Sequence, residues 1–188
     1  MKMYPISRRA VLVAIGGLLT VLSLSGVALA ITDNVFSYST PKTGHLALTP
    51  AAFTPADLSK NYANNGAAIR PLAAGQYCWS APVNLPQSAE MSVLAVAYHL
   101  ENGDTAFVQF YRQRFSDGVA PLIVSETLPL TGGSYEVASF PITNASTRTV
   151  DNRRYGYHVY VCMTENGAGV NSLFRGVRVT YTYATAGD

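Results

Sequence analysis

The sequence predicts an all-β fold: a two-sheet antiparallel sandwich, jelly-roll-like, of about eight strands. Three observations predict it. Twelve tyrosines and a wealth of threonine favour half-buried pleated surfaces. From residue 76 onward, short alternating segments are separated by turn residues. After residue 60 no segment carries sustained helical periodicity.

The elements follow in order. Tyr77, Trp79, Ala81 and Val83 alternate with Cys78, Ser80 and Pro82. Met91 to Leu100 is apolar on both faces, as a central strand is. Asn102-Gly103-Asp104 reads as a hairpin turn into Thr105 to Arg114, where Ala106, Val108 and Phe110 share a face. Ser116-Asp117-Gly118 turns the chain into Leu122-Ile123-Val124, and Gly132-Gly133 precedes Tyr135 to Ile142. Tyr157, Val159 and Val161 share a face in Tyr155 to Met163, and Val177, Val179, Tyr181 and Tyr183 alternate cleanly with Arg178, Thr180 and Thr182. One sheet of that size would leave an apolar face wet, so two sheets packed face to face are expected. Residues 76–188 are therefore read as the sandwich core. Residues 31–75, rich in Thr, Pro, Ala, Asn and Gly, are read as its extended, loop-rich N-terminal part. Within them Ala56 to Lys60 is read as one helical turn capped by Thr54.

Residues 1–30 differ in kind. Lys2, Arg8 and Arg9 precede an apolar run from Ala10 to Ala30 that closes on Ala28-Leu29-Ala30. A basic start, an apolar stretch and a small-x-small site are the pattern of a signal peptide. The stretch is also long enough for an uncleaved N-terminal membrane anchor. Either way an apolar export helix precedes the sandwich, which lies outside the cytoplasm, secreted or associated with the cell envelope. Ser7-Arg8-Arg9-Ala10-Val11-Leu12 partly matches a twin-arginine signal, so both export routes stay open.

Charge excludes further classes. The whole chain carries 13 basic and 11 acidic residues. Removing Lys2, Arg8 and Arg9 leaves ten against eleven, a balance without the basic footprint of a nucleic-acid binder. Membrane contact is expected only through the N-terminal segment, if it is retained. With 48% hydrophobic and 13% charged residues, the chain is too apolar for disorder.

Two cysteines, Cys78 and Cys162, stand in a compartment that permits disulfides. Cys78 points opposite to Tyr77, Trp79 and Ala81, and Cys162 opposite to Val159 and Val161. Both lie on the less apolar face of their strands, so the expected bridge joins neighbouring strands on the outside of one sheet. Two lone cysteines lack zinc-ligand spacing.

The stretch from Tyr77 to Tyr183 resembles a family of uncharacterised exported bacterial β-sandwich modules, jelly-roll-like in form. The residues carrying the resemblance are Cys78-Trp-Ser-Ala-Pro-Val-Asn-Leu-Pro86, Val150-Asp-Asn152, Tyr155-x-Tyr157-x-Val-Tyr-Val161 and Gly176-Val-Arg-Val-Thr-Tyr-Thr-Tyr183. The resemblance implies a sandwich at the cell surface or in the envelope and transfers no catalytic residue.

No catalytic motif emerges. His45, His99 and His158 have no metal-ligand spacing, and the two in strands read as packed or hydrogen-bonded residues. No carboxylate pair stands out among Glu90, Glu101, Asp104, Asp117, Glu126, Glu136, Asp151 and Glu165; a glycosidase would need one. Neither a GxSxG elbow nor a phosphate loop is present. The expectation is therefore a non-catalytic structural or interaction module, without cofactor or metal, that meets a protein or glycan partner at the cell surface or another copy of itself. The alternative is a carbohydrate-binding module stacking sugar rings on aromatic side chains, with Tyr111, Tyr98, Tyr160 and Trp79 as candidate contacts; a third reading, ranked below both, is a hydrolase whose two carboxylates meet only in the fold. Trp79 alternates with core residues, whereas Tyr111 alternates with Gln109 and Gln113 and is the better exposed candidate. Arg153-Arg154 reads as a solvated turn.

Overall fold

A computed structural model describes residues 36–101, 103–131, 134–167 and 171–186. The expected export helix and its cleavage site lie outside the described residues. The strands are β1 (Phe36–Leu48), β2 (Thr54–Pro55), β3 (Tyr62–Asn64), β4 (Ile69–Pro71), β5 (Gly75–Pro82) and β6 (Glu90–His99). They continue as β7 (Thr105–Arg114), β8 (Leu122–Leu128), β9 (Glu136–Pro141), β10 (Tyr155–Glu165) and β11 (Leu173–Ala186). Helix is confined to a 3-10 turn at Pro50–Ala52 and a single turn at Ala145–Arg148, among the described residues.

The strands form two antiparallel sheets. One has the order β3-β4-β11-β6-β9, with β1 also paired to β11; the other has the order β2-β5-β10-β7-β8. From β5 onward the chain changes sheet at nearly every connection, staying in one sheet only for the β7–β8 hairpin. This is the jelly-roll-like sandwich that the alternation predicts.

Two local expectations are corrected. Asn102-Gly103-Asp104 is no hairpin: β6 and β7 lie in opposite sheets, so the connection spans the open end of the sandwich. Thr54 caps no helix; Thr54 and Pro55 pair with Ser80 and Trp79 as a short edge strand. The N-terminal stretch supplies four strands of its own. β1 pairs with β11 through a register shift between Ser37 and Lys42. That irregularity accommodates Pro41 on an edge, where its missing N–H costs no ladder bond.

The core lies between the sheets. Trp79, Tyr98, Phe110 and Phe174 are its largest fully buried members, each worth about 1.5–3 kcal/mol of apolar burial. Rings interlock across the gap: Phe53 meets Phe174 edge-on at 4.8 Å, and Trp79 of one sheet meets Tyr62 of the other at 6.0 Å.

Candidate functional site

Strand alternation decides which aromatics can meet a ligand. On β10, Tyr155, Tyr157, Val159 and Val161 point into the core, and on β7, Ala106, Val108 and Phe110 do the same. The intervening residues therefore share the outer face of the β2-β5-β10-β7-β8 sheet. Register sets them side by side: His158 lies opposite Tyr111, Tyr160 opposite Gln109, and Cys162 opposite Phe107.

Two of the four expected contact residues are on this face. Tyr111 and Tyr160 are partly exposed. The Tyr111 ring lies nearly parallel to that of His158, with centroids 5.6 Å apart and planes at 21°. Tyr160 tilts against Phe107 at 6.4 Å. The other two are corrected. Trp79 and Tyr98 are 1% and 0% exposed and have no surface to offer. Trp79 follows the inward parity of Tyr77 and Ala81. Tyr98 belongs to a strand buried on both faces, and its hydroxyl donates to the Pro129 carbonyl at 2.9 Å, which satisfies its polar end inside the core. Burial, with the Glu136 charge adding to it, raises the Tyr98 hydroxyl above its ordinary value.

Three residues of this face had drawn no attention as contacts: His158, Phe107 and Phe115. Parity alone would have found His158 and Phe107. Phe115 sits just past β7, 69% exposed, beside Gly156 of β10. A Cβ on Gly156 would lie 3.5 Å from the Phe115 ring and 3.7 Å from His158 Nε2. The result is an aromatic stripe of Phe115, His158, Tyr111, Tyr160 and Phe107. It runs about 25 Å from Phe115 to Phe107 at the rise of an extended strand. Gln109, Gln113, Ser80, Ser125 and Thr127 flank it with amide and hydroxyl groups.

The disulfide forms where the parity of the two cysteines requires. Cys78 and Cys162 are directly paired residues of neighbouring strands, with Cα atoms 4.1 Å apart. The bridge lies on the same outer face and ties β5 to β10 beside Ser80 and Tyr160.

The two ends of β7 and β10 differ in charge. At the β10 C-terminus, Asp104 and Glu165 are 6% and 4% exposed. Asp104 accepts from the Ser172 hydroxyl at 2.6 Å and from the Asn166 backbone N–H at 2.9 Å, while Glu165 accepts from the Ser172 N–H at 3.2 Å. Burial, and then the hydrogen bond and charge of Asp104, push Glu165 up to about 7. For Asp104 burial acts upward, but the hydrogen bonds from Ser172, Asn166 and Glu165 outweigh it and hold the carboxyl below its ordinary value. Through Ser172 and Asn166 the two carboxyls tie the start of β7, the end of β10 and the approach to β11 together. His99 stands nearby, bonded to Glu101 at 3.0 Å and to the Ser134 carbonyl at 2.9 Å. Those bonds, the carbonyl first, raise it above its ordinary value.

The opposite end is basic and open. A hollow of about 370 Å³ is lined by Arg114, Phe115, Ser116, Arg153 and Arg154. Arg112 stacks on Tyr155 at 4.2 Å, closing the end of the core.

No family model and no curated protein sequence matches the chain. Among solved structures it is similar to the C-terminal CBM6 of LamC, a marine laminarinase from Zobellia galactanivorans (15% identity, TM-score 0.47, 73% of this chain and 99% of that one). It is similar also to the xylan-binding module CBM15 (14%, 0.43, 74% and 97%). A third similar structure is that of the infectious bursal disease virus Gx strain (14%, 0.43, 78% and 33%). The chain spans about a third of the viral chain, and 23% of an isomalto-dextranase from Arthrobacter globiformis that it also resembles. At these identities and scores the likenesses assign no ligand.

Proposed function

We propose that this chain is a non-catalytic, extracytoplasmic binding module of a bacterial cell surface or envelope, and that it takes a carbohydrate on the outer face of the β2-β5-β10-β7-β8 sheet. One observation carries the reading. Tyr111 and His158, stacked ring against ring across adjacent strands, stand half-exposed on this face, with Tyr160 next along it and amides and hydroxyls beside them. A sugar ring offers an apolar C–H face and an equatorial fringe of hydroxyls. Flat aromatic surface serves the first and the Gln and Ser side chains serve the second.

Supporting points come from elsewhere in the chain. A disulfide belongs to an oxidising compartment, in keeping with the signal-like order of Lys2, Arg8, Arg9, the apolar run and Ala28-Leu29-Ala30. The Asp104–Glu165 pair is the close carboxyl pair a hydrolase would need, but both groups are buried and already bonded to Ser172. None of the three described surface hollows is lined by a carboxylate.

The test is affinity electrophoresis or calorimetry of the full-length chain against a panel of plant, algal and bacterial polysaccharides. Wild type binds at least one, and Tyr111→Ala weakens that binding at least about tenfold with little change in thermal midpoint. Failure of wild type to bind any of the panel, or unchanged affinity in Tyr111→Ala, refutes the assignment of this face.

A further inference from the structure

The aromatic stripe does not end in neutral surface. It runs through Phe115 into the hollow of Arg114, Ser116, Arg153 and Arg154. We infer that the ligand is an acidic polysaccharide, whose carboxylate or sulfate group enters this hollow while a neighbouring sugar ring stacks on Tyr111 and His158. The inference rests on the carbohydrate reading above and narrows it to a chemical class.

Charge placement supports it. Beyond the first thirty residues the chain has ten basic residues, and four of them, Arg112, Arg114, Arg153 and Arg154, gather at this end. The carboxylates nearest them along the chain are Asp117, in the β7–β8 turn, and Asp151, in the turn before β10. Arg114 is held by Asp117 at 2.9 Å. Arg153 and Arg154 are exposed and form no ion pair among the described residues. Both guanidinium groups thus have no carboxylate partner among the described residues and can offer an oxyanion paired N–H donors, the geometry in which arginine exceeds lysine.

The backbone fixes these side chains relative to the stripe. The Phe115 N–H donates to the Arg154 carbonyl at 3.0 Å, and the Arg154 N–H donates to the Asp151 carbonyl at 3.2 Å. Arg154 also lies 5.9 Å from the Tyr155 ring. The turn that carries the arginines is thus stitched to the aromatic residue that ends the stripe. Arg153 and Arg154 are exposed in this turn, as expected of a solvated turn, and the ladder sets where the turn lies relative to Phe115.

The experiment compares polygalacturonate and alginate with methyl-esterified galacturonan, xylan and β-1,3-glucan, using calorimetry on the full-length chain at low and high salt. Oligo-dT is included as a non-sugar polyanion. Wild type is expected to bind an acidic polymer about tenfold more tightly than its neutral counterparts at low salt, with the preference shrinking at high salt. Arg153→Ala/Arg154→Ala should lose most of that preference, and Arg153→Lys/Arg154→Lys should recover part of it. Equal affinity for acidic and neutral polymers, or an unaltered preference in the double alanine variant, overturns the inference while the aromatic face still stands. Oligo-dT binding as tight as the acidic sugar also overturns it. Loss of all glycan binding, or binding indifferent to Tyr111→Ala, brings down the carbohydrate reading itself.

Discussion

Glu165 should make this domain less stable as pH rises from mildly acidic to neutral, the reverse of ordinary acid denaturation. The carboxyl is 4% exposed and titrates near 7, against an ordinary value of 4.5. Its folded value is raised, so between those two values the native chain holds a proton that the unfolded chain has released. Stability from this group is full below about pH 4.5 and is lost as pH climbs through 7. The slope is about 1.4 kcal/mol per pH unit, and the whole interval amounts to about 3 kcal/mol. In a domain of this size that is a fall of roughly 6–12 °C in thermal midpoint. Asp104 acts with the opposite sign, because its value is lowered. Its contribution disappears only as pH drops below the ordinary range of an aspartate, outside the Glu165 window. His99, raised by Ser134 and Glu101, acts in the same direction as Glu165 at the upper end. The discriminating variant is Glu165→Gln. Its amide can donate to Asp104 and accept from the Ser172 N–H, yet it does not ionise. Calorimetric scans from pH 4.5 to 8 should show the midpoint falling throughout in wild type and nearly level up to about pH 6.5 in Glu165→Gln, with only the His99 decline remaining above that and the variant the more stable protein at pH 8. A wild-type midpoint that rises or stays flat, or a variant that keeps the wild-type slope, refutes the raised Glu165 carboxyl.

Two further outcomes follow from the covalent and backbone geometry. The Cys78–Cys162 bridge closes a loop with a sequence separation of 84, so Cys78→Ser/Cys162→Ser should cost about 4–5 kcal/mol on the chain-entropy account, read as a lower urea midpoint. The untreated wild-type chain should take up no alkylating reagent. Gly176 interrupts the β11 register at φ +129°, and a Cβ there would come within 2.4 Å of the Leu48 carbonyl oxygen. Gly176→Ala should therefore destabilise by about 2–3 kcal/mol in urea titration, and a neutral result would mean that β1 does not approach β11 so closely.

The sequence resolved what depends on parity and missed what depends on register between distant strands. Alternation placed Trp79 in the core and Tyr111 outside, and it put Cys78 and Cys162 on the same outer face. It failed for Tyr98, because Met91 to Leu100 is apolar on both sides and shows no contrast from which to read a direction. β1 was legible only as fragments, since Pro41 and the register shift break its pattern at an edge. The buried carboxyl pair was invisible for a different reason. Asp104 and Glu165 look like ordinary strand-end acids until β7 and β10 are laid together, with Thr105 opposite Thr164. The basic end was hidden in the same way, because Arg114 and Arg154 become neighbours only through the pairing of Arg114 with Tyr155.

One strand explains why these features can work together. β10 is held on both sides, by β5 through eight paired residues and by β7 through ten, and the disulfide adds a covalent tie to β5. Its outward side chains are therefore spaced by a ladder that cannot slip without turning Val159 and Val161 out of the core. His158 and Tyr160 hold their positions before any ligand arrives, so little ordering entropy has to be lost on binding. The same ladder fixes the distance from the Tyr111–His158 pair to the Arg114 end. A ligand that satisfies one end must match the length to the other. Spacing along β10, more than the mere presence of aromatic and basic side chains, thus becomes the basis on which this face would choose one polymer over another.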